Sequence, residues 1–308
     1  MATDPINSQG DVEDEENKII SLLHKVLGSC NISFLFGAGV NGLALPSFAH
    51  FDSTIAKMTE LGLPGGDIER ALQACKDETT RQDVLDTFVA EFNQHKGYTL
   101  DNPSLVNLRR LLNATHKAVS RAENRHPEGK RINVFTLNYD RVAEEVLEAS
   151  GYFNYVLKSE TKSFLPFNVV GYNTETRAFV PTFAIYKLHG SVEADRTLKS
   201  EGIVFPGQDK LGSIISDFYE TLFAMKGELL RKNAALFVIG YSWMDEHVND
   251  VINSAIDNGL TVVFPQYSNR NKVPNNLDGK MLVIPPVDVK HLRDTTKTLA
   301  EFFEKAMF

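Results

Sequence analysis

The sequence predicts an α/β fold in which a mostly parallel β-sheet carries helices on both faces. Apolar runs rich in Val, Ile, Leu and Phe are typical of strands that are buried on both sides. These runs alternate with segments whose apolar residues recur at helical spacing, and this alternation indicates βα units. With 308 residues, of which 43% are hydrophobic, the chain is long enough to bury a sizeable core.

The order of the elements follows from the same patterns. Strands are predicted at 32–36, 131–137, 183–188, 234–239, 260–264 and 281–284. Helices are predicted at 17–28, 142–149, 211–232, 246–258 and 295–307. Residues 48–129 are more polar and helical throughout, which predicts a helical lobe inserted after the first βα unit. Residues 151–182 have no helical pattern and predict a β-hairpin region.

Charge and composition exclude several classes of protein. Residues 1–16 are acidic and lack apolar periodicity, so we expect a disordered segment or an interaction arm before a single domain at 17–308. The net charge of −8 and the pI near 5.5 argue against direct nucleic-acid binding. Only two cysteines, Cys30 and Cys75, and no long apolar run are present. We therefore expect a cytoplasmic protein without a membrane segment or a four-cysteine zinc site.

A glycine-rich turn follows the first predicted strand. The turn Gly37-Ala38-Gly39, with Gly42, satisfies G-x-G-x-x-G, in which missing Cβ atoms let a backbone approach a pyrophosphate. This indicates a Rossmann-like dinucleotide site. The alternative is a turn that only packs a strand against a helix. Residues 48–62 are helical where a dehydrogenase would place a second strand ending in Asp or Glu, so a dehydrogenase is not predicted.

Polar residues stand at the ends of three further strands. They are Asn138-Tyr139-Asp140, His189-Gly190-Ser191 and Gly240-Tyr241-Ser242. Each set alone has a structural interpretation: a helix N-cap, a hydrogen-bonded histidine and a turn, respectively. Because the carboxyl ends of parallel strands meet at one edge of a sheet, all four sets together predict a single site.

Other polar residues are interpreted as structural. His95, His116 and His126 in the lobe lack neighbours at metal-ligand spacing and are expected at the solvated surface. Asp245 is interpreted as the start of the helix that follows Gly240-Tyr241-Ser242.

Four segments resemble sirtuin motifs in family order. Gly37 to Asn41 with Leu45-Pro46-Ser47-Phe48 resembles the sirtuin opening GAG[IV]S…IPDF, and Thr136 to Asp140 resembles TQNID. Lys187 to Ser191 resembles the catalytic HG segment, and Gly240 to Ser242 resembles the GTS loop. The resemblance implies a sirtuin-like fold that binds NAD.

Departures from the family pattern indicate which group of sirtuin-like proteins the chain resembles. Ser47 stands at the position of the family's Asp, and Asn41 replaces its Ser. No cysteine follows Cys75, so the two zinc-binding CxxC pairs are missing and no metal is expected. The chain in this respect resembles the NAD-degrading sirtuin-like effectors of bacterial antiphage defence. That likeness implies a homo-oligomer, paired with a separate sensor subunit such as a HerA-type ring ATPase.

The resemblance also implies roles for individual residues. Asn138 would orient water or the nicotinamide ribose, Asp140 would contact the nicotinamide or stabilise the developing cation, and His189 would be the general base. The residues expected to bind NAD are Gly37, Ala38, Gly39, Asn41, Ser47, Gly240 and Ser242.

Cleavage of the nicotinamide–ribose bond of NAD is thus the expected reaction. Two alternatives stay open from the sequence. One is an NAD-dependent protein deacylase, and the other is a non-enzymatic NAD or ADP-ribose binding module that gates a partner.

Overall fold

A computed structural model places the chain's elements around one sheet. It describes residues 8–65, 68–123, 125, 127–151, 154–158, 168–170, 183–200, 203, 214–267, 277, 279–284 and 295–307. In this part of the chain the strands are β1 (Asn31–Phe36), β2 (Ile132–Thr136), β3 (Asn154–Lys158), β4 (Asn168–Val170), β5 (Phe183–Lys187), β6 (Ala234–Ile239), β7 (Thr261–Pro265) and β8 (Leu282–Ile284). The helices are α1 (Ser8–Ser29), α2 (Asp52–Glu60), α3 (Ile68–Ala74), α4 (Glu78–Gln94), α5 (Pro103–Arg121), α6 (Val142–Ala149), α7 (Ile214–Leu229), α8 (Glu246–Ile256) and α9 (Thr295–Ala306).

The described strands form one sheet in the order β4-β3-β5-β2-β1-β6-β7-β8. Every neighbouring pair is parallel except β3 and β4, which are antiparallel. The β3–β4 pair confirms the predicted hairpin region, although 152–153, 159–167 and 171–182 lie outside the described residues. The chain leaves β1 toward β2 on one side and later returns to β6 on the other. The β1/β6 boundary is therefore the switch point where ligands bind in such sheets.

Two apolar clusters cover the two faces of the sheet. On one face, α1, α5, α6 and α9 pack against side chains that include Phe34, Phe36 and Phe237. On the other face, α7 and α8 pack against side chains that include Leu35, Leu236 and Val238. Successive residues of a strand point to opposite faces, which explains why whole strands are apolar. The predicted fold class, an α/β parallel sheet with helices on both faces, is confirmed.

The N-terminal helix is longer than the sequence pattern predicts. Helix α1 begins at Ser8 rather than near residue 17, inside the stretch expected to be a disordered or interaction arm. Within α1, Glu16 forms an ion pair with Lys305 of α9. Residues 1–7 lie outside the described residues.

The helical lobe is smaller than predicted. A third apolar cluster contains residues of α2, α3 and α4 together with Val192, Leu198 and Ile203 from the segment after β5. Helix α5, which the sequence pattern assigns to the lobe, packs instead on the sheet face beside α1 and α9. We use "lobe" from here on for α2–α4.

The lobe is held together by a buried carboxylate. Glu91 of α4 is 6% exposed and accepts hydrogen bonds from the Ser53 amide (3.0 Å) and the Thr54 amide (2.8 Å) at the start of α2. The Thr54 hydroxyl also donates to Glu91, at 2.6 Å. Glu91 thus caps α2 from another helix, since two amides of its first turn have no partner within the helix.

Among the helices of the described residues, none combines the length and the apolar character that a membrane span requires.

We expect Glu91→Gln to lower the free energy of unfolding by roughly 1–3 kcal/mol, because an amide cannot accept all three hydrogen bonds as a carboxylate does. Burial acts to raise the pKa of Glu91, but these hydrogen bonds outweigh burial and lower the pKa. A carboxylate whose pKa is lower in the folded state than in the unfolded state stabilises the folded protein at pH values above the unfolded-state pKa. That contribution to the free energy of unfolding is lost as the pH falls through the folded-state pKa.

Denaturant unfolding of wild type and Glu91→Gln at several pH values measures this effect. The difference in free energy of unfolding between the two proteins should be largest near neutral pH and should shrink below about pH 4. Glu60→Gln, a change at an exposed glutamate of α2, is the matched control and should have little effect. Equal stability of wild type and Glu91→Gln at pH 7 would contradict the capping role.

Candidate functional site

A cavity of about 410 Å³ lies between the carboxyl ends of the central strands and the lobe. The turns after β5, β2, β1 and β6, which are consecutive strands of the sheet, form one wall. Aromatic and aliphatic side chains of the lobe form the opposite wall. All ten residues predicted for the site line this one cavity: Gly37, Ala38, Gly39, Asn41, Ser47, Asn138, Asp140, His189, Gly240 and Ser242.

Glycines allow the turns after β1 and β6 to meet backbone to backbone. A Cβ atom added at Gly37 would lie 2.4 Å from the Gly240 carbonyl oxygen, and one at Gly39 would lie 2.8 Å from Gly240 Cα. Gly240 itself has a φ of 66°, a conformation that favours glycine. The sequence interpretation assigned the first two glycines to pyrophosphate approach. The structure gives them an additional role, which is contact between the two turns.

Several backbone amides of the β1 turn already donate hydrogen bonds within the protein. The Gly39 amide donates to the Gly240 carbonyl (3.0 Å), and the Gly37 amide donates to the Ile239 carbonyl (3.0 Å). The Val40 amide donates to the Gly37 carbonyl, also at 3.0 Å. An anion at this turn would therefore depend on other donors that line the cavity, such as the hydroxyls of Ser47 and Ser242.

Asn138 is held against the glycine turn. Its side-chain Nδ2 donates to the Gly37 carbonyl at 3.2 Å, and its backbone amide donates to the Thr136 hydroxyl at 3.1 Å. These two contacts orient the side chain across the gap between the ends of β1 and β2.

Asp140 combines a structural contact with a position in the cavity. Its Oδ1 accepts the amide of Val142, the first residue of α6, at 2.9 Å, although the N-cap position itself is occupied by Arg141 and the N-cap interpretation is therefore wrong. Its Oδ2 accepts Nδ2 of Asn41 at 2.7 Å. Asn41 is 3% exposed, and its Oδ1 is buried without a hydrogen-bond partner among the described residues. The Asp140 contact thus fixes the Asn41 amide and leaves one acceptor for a ligand donor.

A buried lysine supports the Asp140 turn from behind. Lys187, the last residue of β5, is 1% exposed and donates from Nζ to the Asp140 backbone carbonyl. Its Nζ also lies 3.4 Å from Oε1 of Glu144 in α6. Burial raises the pKa of Glu144, although the Lys187 charge acts in the opposite direction.

His189 contacts a carboxylate that the sequence interpretation missed. Its Nε2 lies 2.8 Å from Oδ2 of Asp245, and both side chains are 8% exposed. Asp245 is the N-cap of α8, as expected, because its Oδ1 accepts the Val248 amide at 3.0 Å. Its second oxygen, however, faces the histidine, and Asp245 also lines the cavity. Burial acts to raise the pKa of Asp245, but the contacts with His189 and the Val248 amide outweigh burial and lower the pKa.

The segment between β6 and α8 is fixed by side chains of its own. Asn249 donates from Nδ2 to the Trp243 carbonyl at 2.9 Å. The Tyr241 hydroxyl lies 2.9 Å from Asn249 Oδ1 and 3.0 Å from the Asp245 carbonyl. Trp243 has a φ of 62°, which is unusual for a residue with a Cβ atom. These contacts hold both Ser242 and Asp245 at the cavity.

The lobe contributes an aromatic wall. Phe51 packs against Phe88 with ring centroids 5.6 Å apart, and Phe88 and Phe92 both make edge contacts with Tyr139. The expectation that His95 is a solvated surface residue is wrong, since it lines the cavity and contacts the Phe51 ring at 5.7 Å.

His116 also departs from the expectation for the lobe histidines. It stacks on Phe183, and burial lowers its pKa. His126 lies outside the described residues.

The charges around the cavity favour a cation over an anion near Asp140. Asp140 and Asp245 are acidic, and no Lys or Arg is among the described residues that line the cavity. In the part of the chain that the structure describes, no group of three or more His, Cys, Asp or Glu residues is arranged to hold a metal ion.

Comparisons with known proteins find similarity to one family over part of the chain. Residues 132–276 match the family model of the SIR2-like domain. This SIR2-like segment is somewhat less than half of the chain, and it contains the turns after β2, β5 and β6 but not the glycine turn after β1. No curated protein sequence matches the chain. Among solved structures, one from work on the mechanism and regulation of Sir2 enzymes is similar, with a TM-score of 0.48, 15% identity, and coverage of 93% of this chain and 96% of that one.

We expect Gly37→Ala to lower the free energy of unfolding by about 1–3 kcal/mol, because the new methyl group would overlap backbone atoms that cannot move aside cheaply. The matched control is Gly227→Ala in α7, where an added Cβ has no atom within 4 Å. That change should raise stability by about 0.4–1 kcal/mol. Denaturant unfolding measures both, and a Gly37→Ala protein as stable as wild type would show that the turns are not in contact.

Proposed function

We propose that the protein is an NAD⁺ glycohydrolase that cleaves the nicotinamide–ribose bond to give nicotinamide and ADP-ribose. The observation that carries this proposal is the position of Asn138, Asp140 and His189 in one cavity at the switch point of a parallel sheet. The match of residues 132–276 to the SIR2-like domain supports an NAD-dependent enzyme. The cavity volume of about 410 Å³ is in the range of small-molecule sites.

The reaction requires few groups that transfer protons. The nicotinamide leaving group is already cationic in NAD⁺, so it departs without prior protonation and leaves an oxocarbenium-like ribose. The protein must position the ribose, stabilise positive charge and deliver a water. Carboxylate and aromatic side chains around the cavity suit a cationic pyridinium ring, since ring faces also attract cations.

Each polar residue has a part in this scheme. Asn138, held by Gly37, orients the attacking water or a ribose hydroxyl with an amide that can both donate and accept. Asp140 stabilises the developing cation, with its carboxylate fixed by Asn41 and Val142. His189 takes the proton from water as general base. The turns that carry Gly37 to Gly39 and Gly240 to Ser242 hold the pyrophosphate and the adenosine side, with Asn41 and Ser47 as further contacts.

The biological setting is proposed from the resemblance alone. We propose that the enzyme depletes cytoplasmic NAD in antiphage defence by abortive infection. We also propose that it works as a homo-oligomer with a separate sensor such as a HerA-type ring ATPase. An enzyme of this kind has to be inactive at rest, because constitutive hydrolysis of NAD would kill its host.

We expect purified protein, alone or with the product of a neighbouring gene, to release nicotinamide and ADP-ribose from NAD⁺. His189→Ala and Asn138→Ala should each lower kcat by roughly 10²–10⁴-fold, the usual contribution of a positioned catalytic group. His24→Ala and Asn258→Ala, at exposed sites outside the cavity, are the matched controls and should retain activity.

The alternatives give different results in the same assay. Release of nicotinamide only when an acetylated peptide is added would indicate a deacylase. Stoichiometric binding of NAD or ADP-ribose without turnover, with the partner present, would indicate a binding module. Full activity of both His189→Ala and Asn138→Ala would refute the mechanism.

A further inference from the structure

The contact between His189 and Asp245 connects two strand ends that are not neighbours in the sheet. His189 follows β5 and Asp245 follows the β6 turn, with β2 and β1 between those strands. Even so, Nε2 and Oδ2 are 2.8 Å apart, and both side chains are almost fully buried. The pair therefore spans the ends of the two strands that carry Asn138 and the glycine turn.

The Asp245 carboxylate is held from the side opposite the histidine. Its Oδ1 accepts the Val248 amide at 3.0 Å, and the Asp245 backbone carbonyl lies 3.0 Å from the Tyr241 hydroxyl. Helix α8 thus sets the orientation of the carboxylate, and Oδ2 lies 2.8 Å from the imidazole Nε2 as a close charge contact rather than an aligned hydrogen bond.

A buried ionised carboxylate next to an imidazole has two chemical effects. Its negative charge favours a proton on the nearer ring nitrogen, which places the lone pair of the neutral ring on Nδ1. It also stabilises the imidazolium that forms when the ring takes a proton, as the aspartate of a Ser-His-Asp triad does. The lowered pKa of Asp245 is consistent with an ionised carboxylate at neutral pH.

We propose that Asp245 is a positioning residue for His189: it fixes the orientation and the tautomer of the ring and stabilises its protonated form. The catalytic part of this inference rests on the proposed function, in which His189 is the general base. The coupling of the two side chains is a property of the free protein and is measurable without NAD.

Other titratable groups surround the same cavity. They are His95, Tyr139, Asp140 and Tyr241, and His247 adds to the positive potential at Asp245. These groups are unchanged when only Asp245 is replaced. The difference between wild type and an Asp245 variant therefore reports the Asp245 carboxylate.

The test is Asp245→Asn, followed by ¹⁵N NMR of the histidine rings in the full chain without NAD. Asparagine keeps an acceptor for the Val248 amide, because it is a strong N-cap residue, and removes the charge. Asp77→Asn is the matched control, since Asp77 caps α4 by accepting the Thr80 amide at 2.8 Å and is not among the residues that line the cavity. The His189 signals are assigned by their absence from His189→Gln.

We expect the titration midpoint of the His189 ring to move to lower pH in Asp245→Asn, by on the order of one pH unit, because the carboxylate favours the protonated ring. The fraction of neutral His189 rings that carry the proton on Nε2 should also fall. Neither quantity should change in Asp77→Asn.

Kinetics supply the second measurement. In Asp245→Asn, kcat should fall by on the order of 10²-fold with KM little changed, since the residue acts through the base and does not hold the substrate. The acidic limb of the kcat–pH profile should move to lower pH, in the same direction as the ring titration. Asp77→Asn should keep the wild-type profile.

An unchanged tautomer and ring titration in folded Asp245→Asn would overturn the inference. If that variant does not fold, Asp245→Ser, which also keeps a capping oxygen without charge, replaces it. If the His189 titration changes in Asp245→Asn but the wild-type protein does not hydrolyse NAD under any condition, the coupling of His189 to Asp245 is supported and the proposed function is refuted. The two failures are therefore distinguishable.

Discussion

Backbone contact between the turns after β1 and β6 is the constraint on which the site depends. Three glycines, Gly37, Gly39 and Gly240, let the two turns share a hydrogen bond and van der Waals contact at the switch point of the sheet. The Gly37 carbonyl then accepts the Asn138 side chain, so the position of that amide follows from the glycine contact. A side chain at any of the three positions would separate the turns and move Asn138 with them. The glycine motif therefore has a packing role of its own.

A second set of contacts connects buried polar groups beneath the cavity. Asn41, Asp140 and Lys187 are connected by hydrogen bonds, and Glu144 lies next to the lysine. Removing one partner of a buried charge pair leaves the other uncompensated, which is costly, so such groups keep their arrangement or lose it together. The carboxylate of Asp140 is consequently held in place before any ligand arrives. A group fixed in advance needs little reorganisation when charge develops next to it.

The local sequence pattern was sufficient to predict the sheet and the residues at its strand ends. The apolar runs indicated β1, β2, β5 and β6, and the polar sets after these parallel strands had to meet at one edge of the sheet. Eight of the ten expected site residues belong to those sets and line one cavity, and Asn41 and Ser47, which follow the glycine turn, line it too. Asp245 could not be identified in this way. Its N-cap role is explained by Val248, three residues along the chain, whereas its contact with His189 depends on the order of strands that are distant in sequence. The position of His95 likewise depends on how the lobe packs, and the early start of α1 depends on an acidic segment that has no apolar period.

The separate apolar cluster of the lobe has a mechanical consequence. Glu91 caps α2 from α4, and Phe51 and Phe88 pack within the lobe, so the aromatic wall of the cavity is internally braced. The polar wall belongs to the sheet, whose two clusters do not include α2–α4. The two walls are joined by Tyr139, which follows β2, and by the segment after β5, since both pack against the apolar cluster of the lobe. Any change in the packing of the lobe would reach the polar wall through Tyr139, which lies between Asn138 and Asp140 in the sequence.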